Sequence, residues 1–210
     1  MLADRLKEAT SSAHTAAERS GYLNRILQGK ADVFGYSLLL RNLHPVYVNL
    51  EAALDRLCDD PVIMAVRDTR LYRAEAAEFD LVRIAGEKWR RSLPLLTSAR
   101  KYSDRIEEAS VNSGAVLAHA YTRYLGDVNG GRIIKRLLHE KAGVPTEALQ
   151  FFTYSGIEDM PRFAKDYRRR FDRAGMQGVD ETLTLKEAVR AFEFNVELSE
   201  EVEKVSIGKV

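Results

Sequence analysis

The residues of this 210-residue chain that are best suited to chemistry are its histidines and the acidic residues beside them. His14 and Glu18 lie four residues apart, a spacing that places both side chains on one face of a helix. There the Glu18 carboxylate can accept a hydrogen bond from Nδ1–H of His14, which leaves Nε2 free to bind a metal. The spacing also fits a half-exposed histidine beside an ordinary surface carboxylate, and taken alone it favours that second interpretation.

The other histidines offer no better metal site. His119 is a rival ligand by spacing, because it lies about two helical turns before a run of glycines on roughly the same face, although a packed or surface histidine is commoner. His44 and His139 are predicted to be surface residues. No cluster of cysteine and histidine, and no Glu-x-x-His pair, supports several protein ligands to one metal. A single histidine suits an iron atom whose other ligands come from a macrocycle.

A second unusual stretch runs from Ala118 to Arg132 and contains three glycines within six residues, namely Gly126, Gly130 and Gly131. Each glycine destabilises a helix interior by up to about 1 kcal/mol relative to alanine. Two explanations are open. The stretch is either a loop between two helices, or a kinked helix whose bare backbone lies against a flat and bulky group.

Charged residues near these stretches also allow two interpretations. Asp127, inside the glycine stretch, can hold an ordered water and pass protons, although a surface aspartate is the more frequent outcome. Arg168, Arg169 and Arg170 follow Tyr167 as a run of charge. Such runs usually form a solvated face, but they can also bind the carboxylates of a dianionic ligand.

Composition argues against several classes of protein. Hydrophobic residues make up 45% and charged residues 30%, as in ordinary globular proteins, and a net charge of +1 gives no sign of a nucleic-acid partner. The N-terminus has no apolar signal region, and no run of about 18 apolar residues predicts a membrane span or anchor. Cys58 is the single cysteine, which fits a reducing compartment. We therefore expect a cytoplasmic protein.

Helical periodicity covers most of the chain, and no alternation of β-branched residues predicts a strand. The sequence therefore predicts one all-α domain over residues 1–210. The predicted helices are 2–19, 32–57 with a bend at Pro45, 61–66, 73–85, one capped by Ser98, 113 to about 143, 160–174, and one beginning at Thr182 or Thr184. Residues 24–29 are expected to form a short connection.

Two motifs resemble those of the heme oxygenases. The first resembles their proximal helix and reads Leu6-Lys7-Glu8-Ala9-Thr10-x-x-x-His14-Thr15-x-Ala17-Glu18. The second resembles their distal-helix signature and reads Ala118-His119-Ala120-Tyr121-Thr122-Arg123-Tyr124-Leu125-Gly126-Asp127-x-x-Gly130-Gly131. Shorter matches at fitting intervals are Tyr47-Val48-x-Leu50-Glu51, Phe151-Phe152 and Ala191-Phe192-x-x-Asn195. The resemblance spans nearly the whole chain.

The resemblance implies a single-domain helical fold in which heme lies between a proximal helix and a kinked distal helix. It implies a monooxygenase for which heme is both substrate and cofactor. Heme is oxidised with O2 and reducing equivalents to biliverdin, CO and ferrous iron. An external electron donor, a reductase or a ferredoxin-type protein, is implied as redox partner, and nothing in the sequence demands more than a monomer.

The resemblance also assigns roles to individual residues. His14 is implied as the iron ligand with Glu18 as its hydrogen-bond partner, so that His119 is not a ligand. Asp127 matches the residue that organises the distal water network. The positions that extend this network are Tyr47, Tyr102, Arg123 and Asn195. The remaining heme-binding positions are Gly126, Gly130 and Gly131 against the heme face, Lys7, Tyr121 and Arg168 at the propionates, and Phe192.

Two departures from the family pattern bear on which meso carbon of heme is oxidised. Asn129 stands where many relatives carry serine, and a lysine expected one helical step before Arg168 is displaced, since Ala164 and Lys165 occupy that area. Two other functions are left open. One is a heme carrier or sensor that does not cleave heme, and the other is the same scaffold used for an unrelated small molecule.

Overall fold

The computed structural model describes residues 1–208, and every regular element in that range is helical. The α-helices are α1 (Leu2–Arg19), α2 (Gly21–Leu27), α3 (Val33–Arg56), α4 (Pro61–Val66), α5 (Ala74–Ala85), α6 (Trp89–Ser92), α7 (Thr97–Ala109), α8 (Ser113–Ala120), α9 (Gly126–Glu140), α10 (Met160–Gly175) and α11 (Glu181–Ile207). Short 3-10 turns lie at Thr69–Leu71, Thr146–Ala148 and Gln150–Phe152. None of these helices has both the length and the apolar character needed to cross a membrane. The prediction of an all-α fold is confirmed over the described residues.

The core is built around α11, which packs against α1, α2, α3, α7 and α8. The turn between α1 and α2 approaches α11 closely at Gly21, where φ is +56° and a Cβ atom would lie 2.3 Å from the carbonyl carbon of Ser199. Ser199 secures this turn, because its hydroxyl accepts a hydrogen bond from N–H of Leu23 at 2.9 Å and donates one to the Ser20 carbonyl at 3.2 Å. Only glycine combines that conformation with that approach.

Helix α3 agrees with its prediction and delivers a key side chain to the core. Asp32 is its N-cap, and the Asp32 carboxylate accepts a hydrogen bond from N–H of Gly35 at 2.8 Å. Pro45 lies inside the helix, as predicted. The apolar stripe of α3 faces the protein interior, and with it Tyr47 becomes fully buried.

The glycine stretch is helical throughout, which excludes the loop. Helix α8 passes through a π-helical segment, Tyr121–Leu125, directly into α9. A π turn is one of the few recognised causes of a sharp change in helix direction. The side-chain amide of Asn129 donates a hydrogen bond to the Leu125 carbonyl at 2.8 Å within this irregular turn. Of the two explanations, the helix is therefore correct and the loop is wrong.

Several predicted element boundaries differ from those of the structure. Residues 24–29 are not only a connection, because α2 covers most of them. Ser98 does not cap α7; the cap is Leu96, and the Glu201 carboxylate of α11 accepts hydrogen bonds from N–H of Thr97 and Ser98. The last helix begins after Asp180, whose carboxylate accepts a hydrogen bond from N–H of Leu183 at 3.0 Å.

Candidate functional site

Helices α1 and α9 bound the candidate site. Over the described residues both helices pack against α2 and α10, yet they make little direct contact with each other. On α9, a Cβ atom added to Gly126 or Gly130 would meet nothing within 4 Å, so bare backbone borders open space there. Gly131 differs, because its Cβ would lie 3.2 Å from Cδ1 of Phe152. This arrangement leaves room for a flat group against α9 at Gly126 and Gly130.

His14 lies on the exposed side of α1, and 54% of its side chain is accessible. Its Nδ1 lies 3.7 Å from Oε2 of Glu18, as the spacing of the two residues predicts. The imidazole presents its edge to the ring of Phe192 on α11, with 5.7 Å between ring centroids. Nε2 has no hydrogen-bond partner among residues 1–208, so this nitrogen is the one able to bind a metal.

Helix α11 links the side of the site that carries His14 to the buried polar residues of the α8–α9 helix. Phe192, at the His14 ring, and Asn195 are three residues apart and so share one face of α11. Oδ1 of Asn195 accepts a hydrogen bond from Nη1 of Arg123 at 2.6 Å. The amide of Asn195 is itself oriented by donating to the Ala191 carbonyl at 2.9 Å. One helix therefore fixes the relative position of both sides.

Arg123, Tyr47 and Asp127 form a connected hydrogen-bond network. The Tyr47 hydroxyl donates to the Asp127 carboxylate and accepts from Arg123 Nε at 3.0 Å and Nη2 at 2.6 Å. Arg123 Nη2 also lies 3.4 Å from Oδ1 of Asp127. Only 12% of the Arg123 side chain and 11% of the Asp127 side chain are exposed. A carboxylate held this rigidly and this dry is well placed to orient a polar ligand or water.

Burial sets the protonation behaviour of this network. It raises the pKa of Asp127, although the positive charge of Arg123 and the hydrogen bond from Tyr47 act in the opposite direction. Burial also raises the pKa of Tyr47 well above its ordinary value, so its hydroxyl keeps its proton. An aspartate with an elevated pKa in a cleft is the type of group that exchanges protons during catalysis.

Two further phenols lie close enough to Asp127 for its negative charge to raise their pKa. Burial raises the pKa of Tyr102 and of Tyr154, and the negative charge of Asp127 raises both further. Tyr102 lies parallel to Phe194 with 5.2 Å between ring centroids. The Tyr154 hydroxyl is buried and has no hydrogen-bond partner among the described residues. Buried polar groups of this kind are normally satisfied by ordered water, which suits a water network at Asp127.

Cationic side chains gather where α1 meets α10. Arg168 of α10 donates hydrogen bonds to Asp4 Oδ1 at 2.8 Å and to the Ala3 carbonyl at 3.4 Å. Lys7, exposed and one helical turn from Asp4, lies at the same end of α1. Burial raises the pKa of Tyr121, while a hydrogen bond with Thr10 and the charge of Arg168 oppose that shift. The phenol of Tyr121 therefore lies between α1 and Arg168.

The other histidines occupy different environments. His119 is fully buried, and its Nε2 lies 3.0 Å from Oε1 of Glu187, whose carboxylate also accepts hydrogen bonds from Arg105 at 2.6 and 2.8 Å. These hydrogen bonds overcome burial and lower the pKa of Glu187 to about 2. The prediction that His44 lies on the surface is wrong, because only 12% of its side chain is exposed and its ring packs edge-on to Trp89.

Comparisons with known proteins agree with this architecture. The family model described as heme oxygenase matches residues 1–201. Heme oxygenase 1 of Homo sapiens is 33% identical over 208 residues, which are 97% of this chain and 72% of that protein. Heme oxygenase 1 of Synechocystis is 29% identical over 96% of this chain and 85% of its own length.

Solved structures show the same similarity. Heme oxygenase-2 of Synechocystis, determined in complex with heme and NO, superposes with a TM-score of 0.89 at 27% identity and covers 100% of this chain and 88% of its own. The heme oxygenase of Leptospira interrogans gives a TM-score of 0.88 at 28% identity, covering 95% of this chain and 98% of its own. The predicted arrangement of helices is therefore confirmed.

Proposed function

This chain belongs to the heme oxygenase family, and we propose that it oxidises heme with O2 and external electrons to biliverdin, CO and ferrous iron. The observation that carries the proposal is the pairing of bare α9 backbone at Gly126 and Gly130 with the buried Asp127 network beside it. A flat macrocycle requires a wall without side chains, and glycine supplies one. The heme present in the Synechocystis structures supports heme as the substrate.

On the α1 side, we assign His14 as the ligand that binds the heme iron through Nε2. Glu18 orients the ring from Nδ1, since their separation of 3.7 Å needs only a small side-chain adjustment to become a hydrogen bond. Phe192 packs against the imidazole edge and restricts its rotation. A neutral imidazole at this position would hold the heme iron and still allow the iron to react with O2.

On the α9 side, we assign Asp127 the task of holding water that would deliver protons where O2 reacts with the heme. Tyr47 and Arg123 fix its carboxylate, and Asn195 fixes Arg123 from α11. Because the carboxylate acts through water, no strong acid touches the oxygen directly. The bare backbone at Gly126 and Gly130 would lie against one face of the ring and would help to restrict oxidation to one meso carbon.

The cationic end of α1 is assigned to the heme propionates. Lys7, Tyr121 and Arg168 supply two positive charges and a phenol, which suit a dianionic ligand. Arg168 is at present paired with Asp4. Binding of a propionate to Arg168 therefore requires that Asp4 be displaced or share the guanidinium, which is readily achieved because the ion pair is exposed.

Three further assignments complete the proposal. Electrons come from an external donor, a reductase or a ferredoxin-type protein, because the protein's own side chains cannot supply electrons for repeated turnover. The chain acts as a monomer, since its α1–α9 site is built from residues of one chain. The cytoplasmic location stays a prediction, to be checked by cell fractionation.

Adding hemin, then an electron donor under air, tests the proposed reaction directly. Loss of the Soret band with growth of biliverdin absorption is the expected result. A persistent Soret band, with reduction demonstrated under CO, contradicts the proposal and identifies a heme carrier instead. Failure of hemin to bind at all would indicate an unrelated ligand.

Replacing Gly130 with alanine should stabilise the heme-free protein and weaken heme binding. With open space around the added methyl group, we expect the free energy of unfolding to rise by up to about 1 kcal/mol, the difference between glycine and alanine in a helix. The same methyl group intrudes where heme is proposed to pack, and an overpacked contact costs about 1–3 kcal/mol, which corresponds to heme binding weaker by about 5- to 150-fold. Denaturant unfolding and hemin titration measure the two effects.

Gly131→Ala is the matched control, because it differs only in its surroundings. Its methyl group would lie 3.2 Å from Phe152, so the ring must move and the gain in stability should be smaller. Equal stabilisation by the two substitutions would show that the open space at Gly130 is not retained in solution.

A further inference from the structure

Two charged residues of α5 and its N-terminal flank hold the main chain of one short turn, Gln150–Phe152. The Asp80 carboxylate accepts hydrogen bonds from N–H of Gln150 at 2.9 Å and of Phe151 at 2.8 Å. Nη1 of Arg73 donates to the carbonyl of Phe151 at 3.2 Å and to that of Thr153 at 2.7 Å. The Asp80 carboxylate therefore binds N–H groups of this turn, and the Arg73 guanidinium binds carbonyl groups in and directly after it.

The hydrogen bonds that the Arg73 guanidinium donates all go to backbone carbonyl groups. Its Nε donates to the Leu71 carbonyl at 3.1 Å and its Nη2 to the Arg70 carbonyl at 2.8 Å, while the Tyr154 ring lies beneath it, 4.1 Å away. Only 5% of the residue is exposed, and no carboxylate among residues 1–208 forms an ion pair with it. Buried arginines are normally paired with an acidic side chain. A buried arginine that binds only carbonyl groups therefore needs an explanation.

Arg73 is itself fixed from α3. The Glu51 carboxylate accepts hydrogen bonds from N–H of Arg73 and of Ala74, the latter at 3.0 Å, and so caps α5. Burial raises the pKa of Glu51 to about 7. Glu51 lies four residues after Tyr47, on the same face of α3. Helix α3 therefore carries both Glu51, which anchors Arg73, and Tyr47, whose phenol belongs to the Asp127 network.

The turn that Arg73 holds supports two parts of the proposed heme site. Phe151 places its edge on the ring of Tyr47, with 5.3 Å between centroids and an angle of 81°. Phe152 fills the space that Gly131 leaves on α9 and lies roughly parallel to Tyr36 at 6.4 Å. A shift of the turn would therefore move Tyr47, α9 or both.

We propose that Arg73 is a positioning residue for heme oxidation, which holds the 150–153 backbone where Phe151 and Phe152 support Tyr47 and α9. This inference rests on the proposed function, because Tyr47 and α9 matter through the Asp127 network. Arg73 acts through other residues and is not itself assigned a contact with heme.

A second effect of Arg73 is electrostatic. The groups that face Asp127 are the cations Arg123 and Arg73 and the phenols Tyr47, Tyr102 and Tyr154. Burial raises the pKa of Asp127, and the positive charge of Arg73 opposes that rise. Removing this charge should raise the pKa of Asp127 further, so activity that needs the carboxylate should fail at a higher pH.

Four variants separate the two effects. Arg73→Lys keeps the charge but loses the planar set of donors, Arg73→Gln loses the charge but keeps an amide, and Arg73→Met loses both. Arg83→Met is the control, because Arg83 lies on the exposed face of the same helix. The readouts are amide hydrogen exchange of residues 150–154 in the heme-free protein and the pH profile of biliverdin formation.

We expect exchange of 150–154 at least tenfold faster in Arg73→Lys and Arg73→Met, with the parental rate in Arg83→Met. The acid limb of the pH profile should move to higher pH in Arg73→Met and Arg73→Gln but stay near its parental position in Arg73→Lys. Parental exchange in Arg73→Lys and Arg73→Met would overturn the proposal, and a parental acid limb in Arg73→Met would rule out its electrostatic part. If Arg73→Met does not fold, Arg73→Lys and Arg73→Gln still test exchange and charge separately. If the parental protein leaves heme intact, the proposed function fails, and the exchange data still decide whether Arg73 holds the turn.

Discussion

Replacing His14 with alanine should abolish heme turnover and leave the fold unchanged. Fifty-four per cent of the side chain is exposed, and its ring lies beside the Glu18 carboxylate and the ring of Phe192, so little packing is lost. On the proposed assignment the heme iron would lose its protein ligand, because His119 is buried against Glu187 and cannot take the place of His14. The visible spectrum of the hemin complex and the yield of biliverdin measure the two consequences.

Two controls give this prediction its specificity. His139→Ala removes an exposed histidine from the end of α9 and should keep parental spectrum and activity. Glu18→Ala should retain the ligand but reduce heme affinity or activity by about 10- to 100-fold, the usual cost of losing the hydrogen-bond partner of a metal-bound histidine. A His14→Ala complex with the parental axial-ligand spectrum would rule out His14 as the ligand.

The parts of the fold that depend on local pattern could be predicted from the sequence. The boundaries of α1 and α4 follow from periodicity and a proline at the first turn, and the Asp32 cap follows from its side chain. The glycine stretch was more ambiguous. A loop and an interrupted helix share the same composition, and only the π-helical segment before Gly126 decides between them.

The parts that could not be predicted depend on partners far away in the chain. Glu201 binds the first N–H groups of α7 and lies more than 100 residues away in the chain. No sequence pattern near Ser98 predicts this contact. The three glycines look equivalent in the sequence, yet Gly131 faces Phe152 while Gly130 faces open space. His44 was predicted to lie on the surface, yet its ring packs edge-on to Trp89, which lies 45 residues later in the chain.

The candidate site shows the same division. The resemblance to heme oxygenases named Tyr47, Arg123 and Asn195 individually, but their hydrogen bonds join residues 72 to 80 positions apart from α3, the π-helical segment, α9 and α11. Arg73 carries no recognisable motif, because its partners are backbone carbonyl groups that any sequence provides. The only sequence feature at this position is an arginine at the start of an amphipathic helix. That feature could be connected with the site only after the structure was known.

Replacing Asp127 with alanine should lower the yield of biliverdin about 10²-fold or more, the usual contribution of a positioned acid or base. The carboxylate is the only acidic group in contact with Tyr47 and Arg123 among the described residues, so no neighbour can take over its proton transfer. Heme should still bind, because His14 and the glycine wall are untouched. Single-turnover assays with a fixed amount of reductant measure the yield, and hemin titration measures the affinity.

The pH profile distinguishes proton transfer from a merely structural role of Asp127. Burial raises the pKa of this carboxyl above its ordinary value of 3.8, so the parental activity should fall on acidification at a higher pH than an exposed aspartate would produce. Asp127→Asn keeps the shape and an acceptor for Tyr47 but has no proton to lose, so its residual activity should lack this acid limb. Asp104→Asn, an exposed substitution on α7, should keep the parental profile. Full biliverdin yield in Asp127→Asn, with an unchanged acid limb, would assign the titration to another group and remove Asp127 from proton delivery.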